Sequence, residues 1–304
     1  MRNKPTVFII CGVHNGLDYT KNFLSSVAKQ SHQNIITIII DDGSTDGTEE
    51  FIRQNYPKLI LIKGDGNLWW TGALYEGVKK ALTRAGGDDF ILTVNNDCIL
   101  SENLVSNLVT TSKVYQRAIV GSLIIDKNNK TQIADAGVRI DWLKGKYISL
   151  PPKKTADLPK DKTIQENIDT LSTKGTLYPI EVFRKIGNFD NKHLPHYISD
   201  YEFACRAKRN GFRLLLSFNA RVYNDITRTG FGEKLPKKIT LKEFWELLFS
   251  RKSRLNIVDQ FWFMTLCCPK KYLLVNYFAI VLKIIFLLSY VPPFYLVRRL
   301  MKKC

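Results

Sequence analysis

Residues 90–100 read Phe90-Ile91-Leu92-Thr93-Val94-Asn95-Asn96-Asp97-Cys98-Ile99-Leu100. Strand-favouring residues run into two amides and a carboxylate, and apolar residues resume at once. The pattern predicts a buried strand, Phe90–Val94, that delivers polar groups to one edge of a sheet. In open α/β sheets, ligands bind at the carboxyl ends of the strands. A hard divalent cation carrying a diphosphate needs one or two carboxylates there, with water and phosphate oxygens completing its shell. Asn-Asp pairs also make ordinary turns, so the stretch has to be weighed with its surroundings.

A second acidic strand end lies upstream, in Ile35-Ile36-Thr37-Ile38-Ile39-Ile40-Asp41-Asp42-Gly43-Ser44. Adjacent carboxylates repel each other unless a ligand, a cation or donor groups receive them. Ser44 and Asp46 read as caps of the helix that follows. Around these two points strands are predicted at Thr6–Cys11, Ile35–Ile40, Leu59–Ile62, Phe90–Val94 and Ala118–Ile125. Helices are predicted near Tyr19–Lys29, Thr45–Asn55, Thr71–Arg84 and Glu102–Val114. This alternation predicts an α/β fold with a mostly parallel sheet and helices on both faces. The first strand leads into Cys11-Gly12-Val13-His14-Asn15-Gly16, which lacks the glycine-rich dinucleotide fingerprint and argues against an NAD enzyme.

Residues 127–172 are polar and lysine-rich, and are expected to form a short irregular hairpin and a mobile loop, either a lid or a plain insertion. Order resumes at Thr173-Lys174-Gly175-Thr176-Leu177-Tyr178-Pro179, followed by a short helix ending near Gly187. The segment from His193 to Arg206 is helical in its latter half.

With 304 residues and 45% hydrophobic content, the chain can bury one large core or a core with an appendage. Cys11, Cys98, Cys205, Cys267, Cys268 and Cys304 form no zinc-type pair and read as incidental thiols in a reducing compartment. Met1 to Pro5 passes into a strand without signal-peptide features, so the folded part is expected in the cytosol. The net charge of +17 requires a partner or a surface. RNA-binding signatures are missing, so nucleic acid is not expected. Basic residues interleaved with large apolar ones towards the C-terminus suit an anionic membrane face.

Taken in order, these motifs resemble the family-2 glycosyltransferases, inverting nucleotide-sugar enzymes of the GT-A fold. The resemblance covers residues 6 to about 225. It is carried by His14-Asn15, the Asp41-Asp42-Gly43-Ser44 turn and Gly66-Asn67-Leu68-Trp69-Trp70-Thr71-Gly72. It continues through a divergent DxD motif at Asn95-Asn96-Asp97, the stretch from Gly175 to Asp190, and Ser199-Asp200-Tyr201-Glu202. Bacterial polysaccharide rhamnosyltransferases look most similar. The resemblance implies that Gly12, His14 and Asp42 bind base and ribose, and that Asn67 and Trp70 wall the donor pocket with Asn95 and Asn96. It implies that Asp97 holds a divalent metal, Mg2+ or Mn2+, with the diphosphate, and that Asp200 is the catalytic base. Asn95 replaces the first Asp of the motif. His193, His196 and Asp225 are candidate acceptor or phosphate contacts.

The chemistry needs these groups. Inverting transfer is an in-line displacement at the anomeric carbon: a metal stabilises the leaving diphosphate, and a carboxylate takes the proton of the attacking hydroxyl. Asp200 and Glu202 lie about 200° apart around a helix, so only one faces the site. The alternative for Asp200 is first-turn placement against the helix dipole, and Glu202 reads as an i,i+4 partner of Arg206. Trp69 and Trp70 point to different faces, so at most one meets the donor.

Residues 1–228 are expected to form the GT-A domain, with a nucleotide-sugar-binding half (1–126) and an acceptor and base half (127–228). Residues 229–304 are expected to form a basic, helical, membrane-associating region. Within it Leu241, Phe244, Trp245 and Leu248 follow helical spacing. Residues 272–297 are strongly apolar but interrupted by Lys283 and Pro292-Pro293, so neither half reaches the ~20 residues of a span. Lys270-Lys271, Arg298-Arg299 and Lys302-Lys303 flank both ends, which favours peripheral or monotopic attachment at the cytoplasmic face. The alternatives are a helical cap on the enzyme or on a second subunit, and a single tilted span. The expected partners are a dTDP-, UDP- or GDP-sugar and a glycan or polyprenyl-diphosphate-linked acceptor, while oligomeric state is left open. A nucleotidyltransferase and a non-catalytic nucleotide-sugar-binding scaffold are the competing functions. The first would need a basic triphosphate loop that Cys11–Gly16 does not supply.

Overall fold

The computed structural model describes residues 4–226 and 239–291. The first part alternates as the sequence pattern predicts: β1 (Val7–Val13), α1 (Leu17–Ala28), β2 (Ile35–Asp41), α2 (Thr48–Asn55), β3 (Ile60–Lys63), α3 (Trp69–Leu82), β4 (Phe90–Thr93), β5 (Cys98–Leu100), α4 (Leu104–Val114) and β6 (Ile119–Asp126). Next come β7 (Ile133–Asp135), β8 (Val138–Asp141), β9 (Lys146–Ser149), β10 (Ile164–Gln165), β11 (Thr176–Pro179), α5 (Ile180–Ile186), α6 (Ser199–Arg209) and β12 (Leu214–Asn224). The helices α7 (Leu241–Phe249), α8 (Ile257–Cys267) and α9 (Lys270–Leu288) follow.

The main sheet has the order β10-β12-β6-β11-β4-β1-β2-β3. Strands β3, β2, β1 and β4 are parallel, so their carboxyl ends share one edge. β11 runs antiparallel between β4 and β6, which makes the far half of the sheet mixed. Alternate residues of β1 enter opposite layers: Phe8 and Ile10 pack with Leu74 and Val78 of α3, and Val7 and Ile9 pack with Phe23 of α1 and Leu104 of α4. Burial on both faces explains the unbroken apolar runs of the parallel strands.

The segment 127–172 holds more structure than a hairpin and a loop. β7 extends the main sheet beside β6, and β8 pairs with β9 as predicted for a hairpin. Ile133, Val138, Leu150, Ile168 and Leu171 join the main core, and this burial holds the insertion down. Further along, the Phe203 ring of α6 lies 4.3 Å from that of Phe189 and 5.4 Å from that of Tyr178. Tilted and edge-on ring contacts thus fix α6 against β11.

The C-terminal helices combine two of the expected behaviours. α8 packs Phe263, Met264 and Cys267 against Cys205 and Tyr201 of α6 and against Trp142, as a cap would. α9 runs through Lys283 without a break for 19 residues, with a mean hydropathy of 1.9, long and apolar enough to cross a membrane. The sequence reading took Lys283 as an interruption, but one lysine does not stop a helix. One stripe of α9 has no packing partner among the described residues, with Leu274 82% and Phe278 62% exposed. The expected domain boundary near 228, Pro292-Pro293, the basic pairs after it, and Cys304 lie outside the described residues. The remaining five cysteines are free and buried, as expected.

Gly175, just before β11, has φ +88°, and a Cβ there would lie 2.5 Å from Ser122 Oγ and 2.9 Å from Val222 Cγ2. Gly175→Ala combines a left-handed backbone penalty with overpacking. It is expected to lower unfolding free energy by about 3 kcal/mol, read as a fall in urea midpoint at constant slope.

Candidate active site

The parallel strand ends bring the two acidic stretches to one edge. The carboxylate of Asp42 is buried and accepts three backbone N–H groups, from Gly66 (2.8 Å), Leu68 (3.2 Å) and Trp69 (3.0 Å). This answers the repulsion posed by two adjacent acids: main-chain donors receive Asp42, and Ser44 N–H (2.9 Å) receives Oδ1 of Asp41. Asp41 Oδ2 is buried without a partner among the described residues. Asp42 thereby shapes the 66–69 loop, which holds Trp69 at φ +56° although it is not glycine. His14 Nδ1 lies 2.7 Å from the carbonyl of Asp42, and its ring is exposed beside Asn15. Asn67 is exposed, and its amide N–H donates to Asp65.

The two indoles diverge as their adjacency requires. Trp70 packs over Gly12, where a Cβ would sit 3.5 Å from the ring, and its Nε1–H donates to Thr173 Oγ1 (3.2 Å). Trp69 instead reaches the His196 ring, 5.4 Å between centroids. The tighter contact is with Ala73, whose Cβ would lie 2.9 Å from a Cβ at Gly12, so glycine is needed for the close approach of α3 to β1.

In the Asn95-Asn96-Asp97 turn each side chain has a separate environment. Asn96 Nδ2 donates to Thr20 Oγ1 (3.1 Å). Asn95 Oδ1 is buried with no hydrogen-bond partner among the described residues. Asp97 is half-buried, and its main-chain carbonyl accepts from Asn224 Nδ2 (3.3 Å). No group of three or more His, Cys, Asp or Glu side chains forms a metal cage among the described residues. An orphaned amide oxygen and a carboxylate in the same turn do fit a hard cation that takes most of its ligands from phosphate and water.

Asp200 stands in the first turn of α6, after Ile198 at φ +65°. It accepts the N–H of Tyr201 (2.9 Å). Burial raises its carboxyl to about 6, the backbone N–H groups of Tyr201, Thr173 and Asp200 itself pull the other way, and the nearby carboxylate of Asp135 adds to the rise. Thr71 secures the segment, donating through its hydroxyl to Ser199 Oγ (2.8 Å) and through its N–H to the Pro195 carbonyl (3.1 Å). Glu202 turns away and is gripped by Arg206 at 2.7 Å, as its spacing predicts.

Three residues join the two halves. Thr173 N–H lies near Asp200, Gly175 N–H donates to the Thr93 carbonyl (2.9 Å) at the end of β4, and Lys174 Nζ donates to Asn224 Oδ1 (2.9 Å). Asn224 in turn holds the Asp97 carbonyl. Asp135 joins from the insertion, accepting Gly137 N–H (2.7 Å) with Ser172 close by. Sequence reasoning missed Asp135, Thr173, Lys174 and Asn224. An Asp two residues before a Gly resembles any Asx turn, and Asn224 lies 50 residues from Lys174.

Of the three contact candidates, His193 is held by Asp190 (2.7 Å) and stacked against Trp262, ring centroids 4.1 Å apart. Asp225 pairs with Lys127 (3.3 Å) and Asn128 (3.2 Å). His196 sits between Trp69 and Tyr197 with Nδ1 buried and unpartnered among the described residues.

Fold and strand-end site together define an α/β protein of GT-A architecture. The profile of glycosyl transferase family 2 matches residues 8–187, more than half of the chain. The chain belongs to this family. An uncharacterized glycosyltransferase of Haemophilus influenzae is 30% identical over 148 residues, covering 46% of this chain and 57% of that protein. An N-acetylglucosaminyl-diphospho-decaprenol L-rhamnosyltransferase of Mycobacterium tuberculosis is 22% identical over 208 residues, 64% of this chain and 67% of the relative. Among solved structures, GalNAc-T7 with UDP, GalNAc and Mn2+ superposes with a TM-score of 0.60 at 19% identity, over 74% of this chain and 44% of that one. The chain thus spans from under half to two thirds of the length of these proteins.

Removing the Asp42 carboxylate leaves three N–H groups of the 66–69 loop without their acceptor. Asp42→Ala is expected to cost about 3 kcal/mol of stability. Hydrogen exchange should quicken first at residues 66–69; unchanged protection there would contradict this role.

Proposed function

We propose that this chain transfers a sugar, with inversion, from a nucleoside-diphosphate donor to a hydroxyl of a lipid-linked glycan, at the cytoplasmic face of a membrane during cell-surface polysaccharide synthesis. The observation that carries the reading is the Thr173–Gly175 segment, whose Thr173 N–H lies near Asp200 on one side and whose Gly175 N–H donates on the other to the strand that leads into Asn95–Asp97. A base and a diphosphate-binding turn held by one short piece of backbone suit a displacement whose nucleophile and leaving group lie on opposite sides of one carbon.

Asp97, with Asn95 Oδ1, would hold the divalent cation, Mg2+ or Mn2+, which neutralises charge gathering on the leaving diphosphate. Asp42 keeps the 66–69 loop in shape to wall the donor, with Gly12, His14, Asn67 and Asn96 around base and ribose. Asp200 accepts the proton of the acceptor hydroxyl. A carboxyl raised to about 6 is ionised at neutral pH yet more basic than an ordinary aspartate, which favours proton removal. The exposed stripe of α9 rests on lipid, and the positive charge of the chain draws it to an anionic leaflet.

The pH dependence follows in sign. Protonated Asp200 cannot accept, so turnover should fall about tenfold per pH unit below about 6. Asp200 is flanked by Asp135, Tyr178 and Tyr201, and Asp135 by Lys174 and Lys153. Of these, Asp135 is the like charge that raises it, so Asp135→Asn should move the acidic limb to lower pH; an upward or absent shift would contradict that coupling.

The function itself is tested by thermal stability against UDP, dTDP, GDP and NAD, with and without Mn2+. A nucleotide at 100 times its dissociation constant should stabilise the protein by about 2.7 kcal/mol. One nucleoside diphosphate should shift the wild type with metal, and the shift should vanish in Asp97→Ala. A shift with NAD alone, or with none, would reject the proposal.

A further inference from the structure

The loop between α7 and α8 carries Arg251, Lys252 and Arg254, far in sequence from the strand-end site but folded against it. The Arg251 guanidinium lies 5.9 Å from the centre of the Trp69 ring, and that of Arg254 lies 6.0 Å from the centre of Tyr197. Tyr197 donates through its hydroxyl to the Lys252 carbonyl (3.5 Å). His196 bridges the two aromatic rings, 5.4 Å from Trp69 and 4.3 Å from Tyr197. The backbone of Trp69 is tied to Asp42, and Tyr197 precedes Asp200 by three residues. The cations therefore border the site between its donor side and its base.

Neither Arg251 nor Lys252 forms an ion pair with a described residue, and both are exposed. One acid, the buried Asp259, lies within electrostatic reach of Arg251. Arg251 and Lys252 thus carry positive charge that no ion pair among the described residues takes up, which suits a diphosphate bearing two substituents. Aromatic faces hold guanidinium groups in place while leaving their N–H edges for phosphate oxygens. On the other side of the loop, Val258 and Phe261 of α8 are exposed, and Phe261 stacks on Tyr277 of α9 (5.3 Å) beside the uncovered α9 stripe. The cationic loop thus leads directly into α8, which carries exposed apolar side chains, as a ligand with both a diphosphate and a lipid requires.

We infer that Arg251, Lys252 and Arg254, ordered by Trp69, His196 and Tyr197, form a subsite for the diphosphate of a polyprenyl-diphosphate-linked acceptor. This rests on the proposed lipid-linked acceptor and adds where its charged group is held. Recognition of a diphosphate by paired guanidinium groups exceeds what generic attraction to an anionic bilayer supplies.

The test uses the full chain and phosphatidylcholine vesicles carrying either a polyprenyl diphosphate or phosphatidylglycerol at equal charge, in EDTA so that no cation at Asp97 collects the diphosphate. Wild type should sediment with diphosphate vesicles at about tenfold lower lipid than with phosphatidylglycerol vesicles. Arg251→Gln with Arg254→Gln should lose that preference and keep residual binding to plain phosphatidylcholine. Should that pair fold poorly, Arg251→Gln with Lys252→Gln removes two exposed cations and should cut the preference as well. Equal binding of wild type to both anionic vesicles, no vesicle binding, or an unchanged preference in the folded variants would overturn the subsite. The nucleotide-dependent thermal shift, measured on the same preparations, reports separately on the transferase proposal.

Discussion

The site depends on one short piece of backbone. Thr173, Lys174 and Gly175 connect the insertion to β11, and each makes a contact that another part of the site requires. Gly175 is fixed by space: its positive φ and the nearness of Ser122 and Val222 leave no room for a Cβ. Ser122 closes the arrangement by donating its hydroxyl to the Lys174 carbonyl (2.8 Å). With the backbone pinned there, Thr173 can reach Asp200 while Lys174 reaches Asn224. A shift of this segment would move both sides of the site together, and positioning at that scale governs rates.

Much of the fold was legible because its forces are local and periodic. The strands β1, β2, β4 and β6 are buried on both faces and so read as continuous apolar runs, and the helices between them show helical spacing. The acidic strand ends were legible for the same reason, since a carboxylate after such a run has to face the sheet edge. The insertion was not: Ile133, Val138, Leu150 and Ile168 are spread among polar residues and lysines, and only the finished core shows that they share one layer. Asp135 was hidden with them. Trp70 was read as a donor wall, yet its indole N–H goes to Thr173, a partner 103 residues away that no local pattern reveals. The Arg251–Arg254 loop looked like membrane charge because nothing in sequence places it beside Trp69.

The energetics of Asp200 have a cost that the fold bears. Burial that raises an acid in the folded state stabilises the protein below its ordinary pKa, and that contribution is lost as pH rises through about 6. At neutral pH the ionised carboxylate is therefore a net destabilising group, of the order of 3 kcal/mol, and the packed rings of Phe203, Phe189 and Tyr178 offset it by anchoring α6. α8 covers the opposite side of the same helix. The C-terminal helices accordingly serve two ends: one face braces the helix that carries Asp200, and the other presents uncovered apolar side chains.

The most direct measurement is donor turnover by the full chain, followed as nucleoside diphosphate release across pH, in wild type and in Asp200→Asn. The account predicts one nucleotide-sugar class consumed, an acidic limb near pH 6 in wild type, and a loss of about 100-fold or more in the variant at neutral pH. Wild-type turnover and an unchanged acidic limb in Asp200→Asn would contradict it.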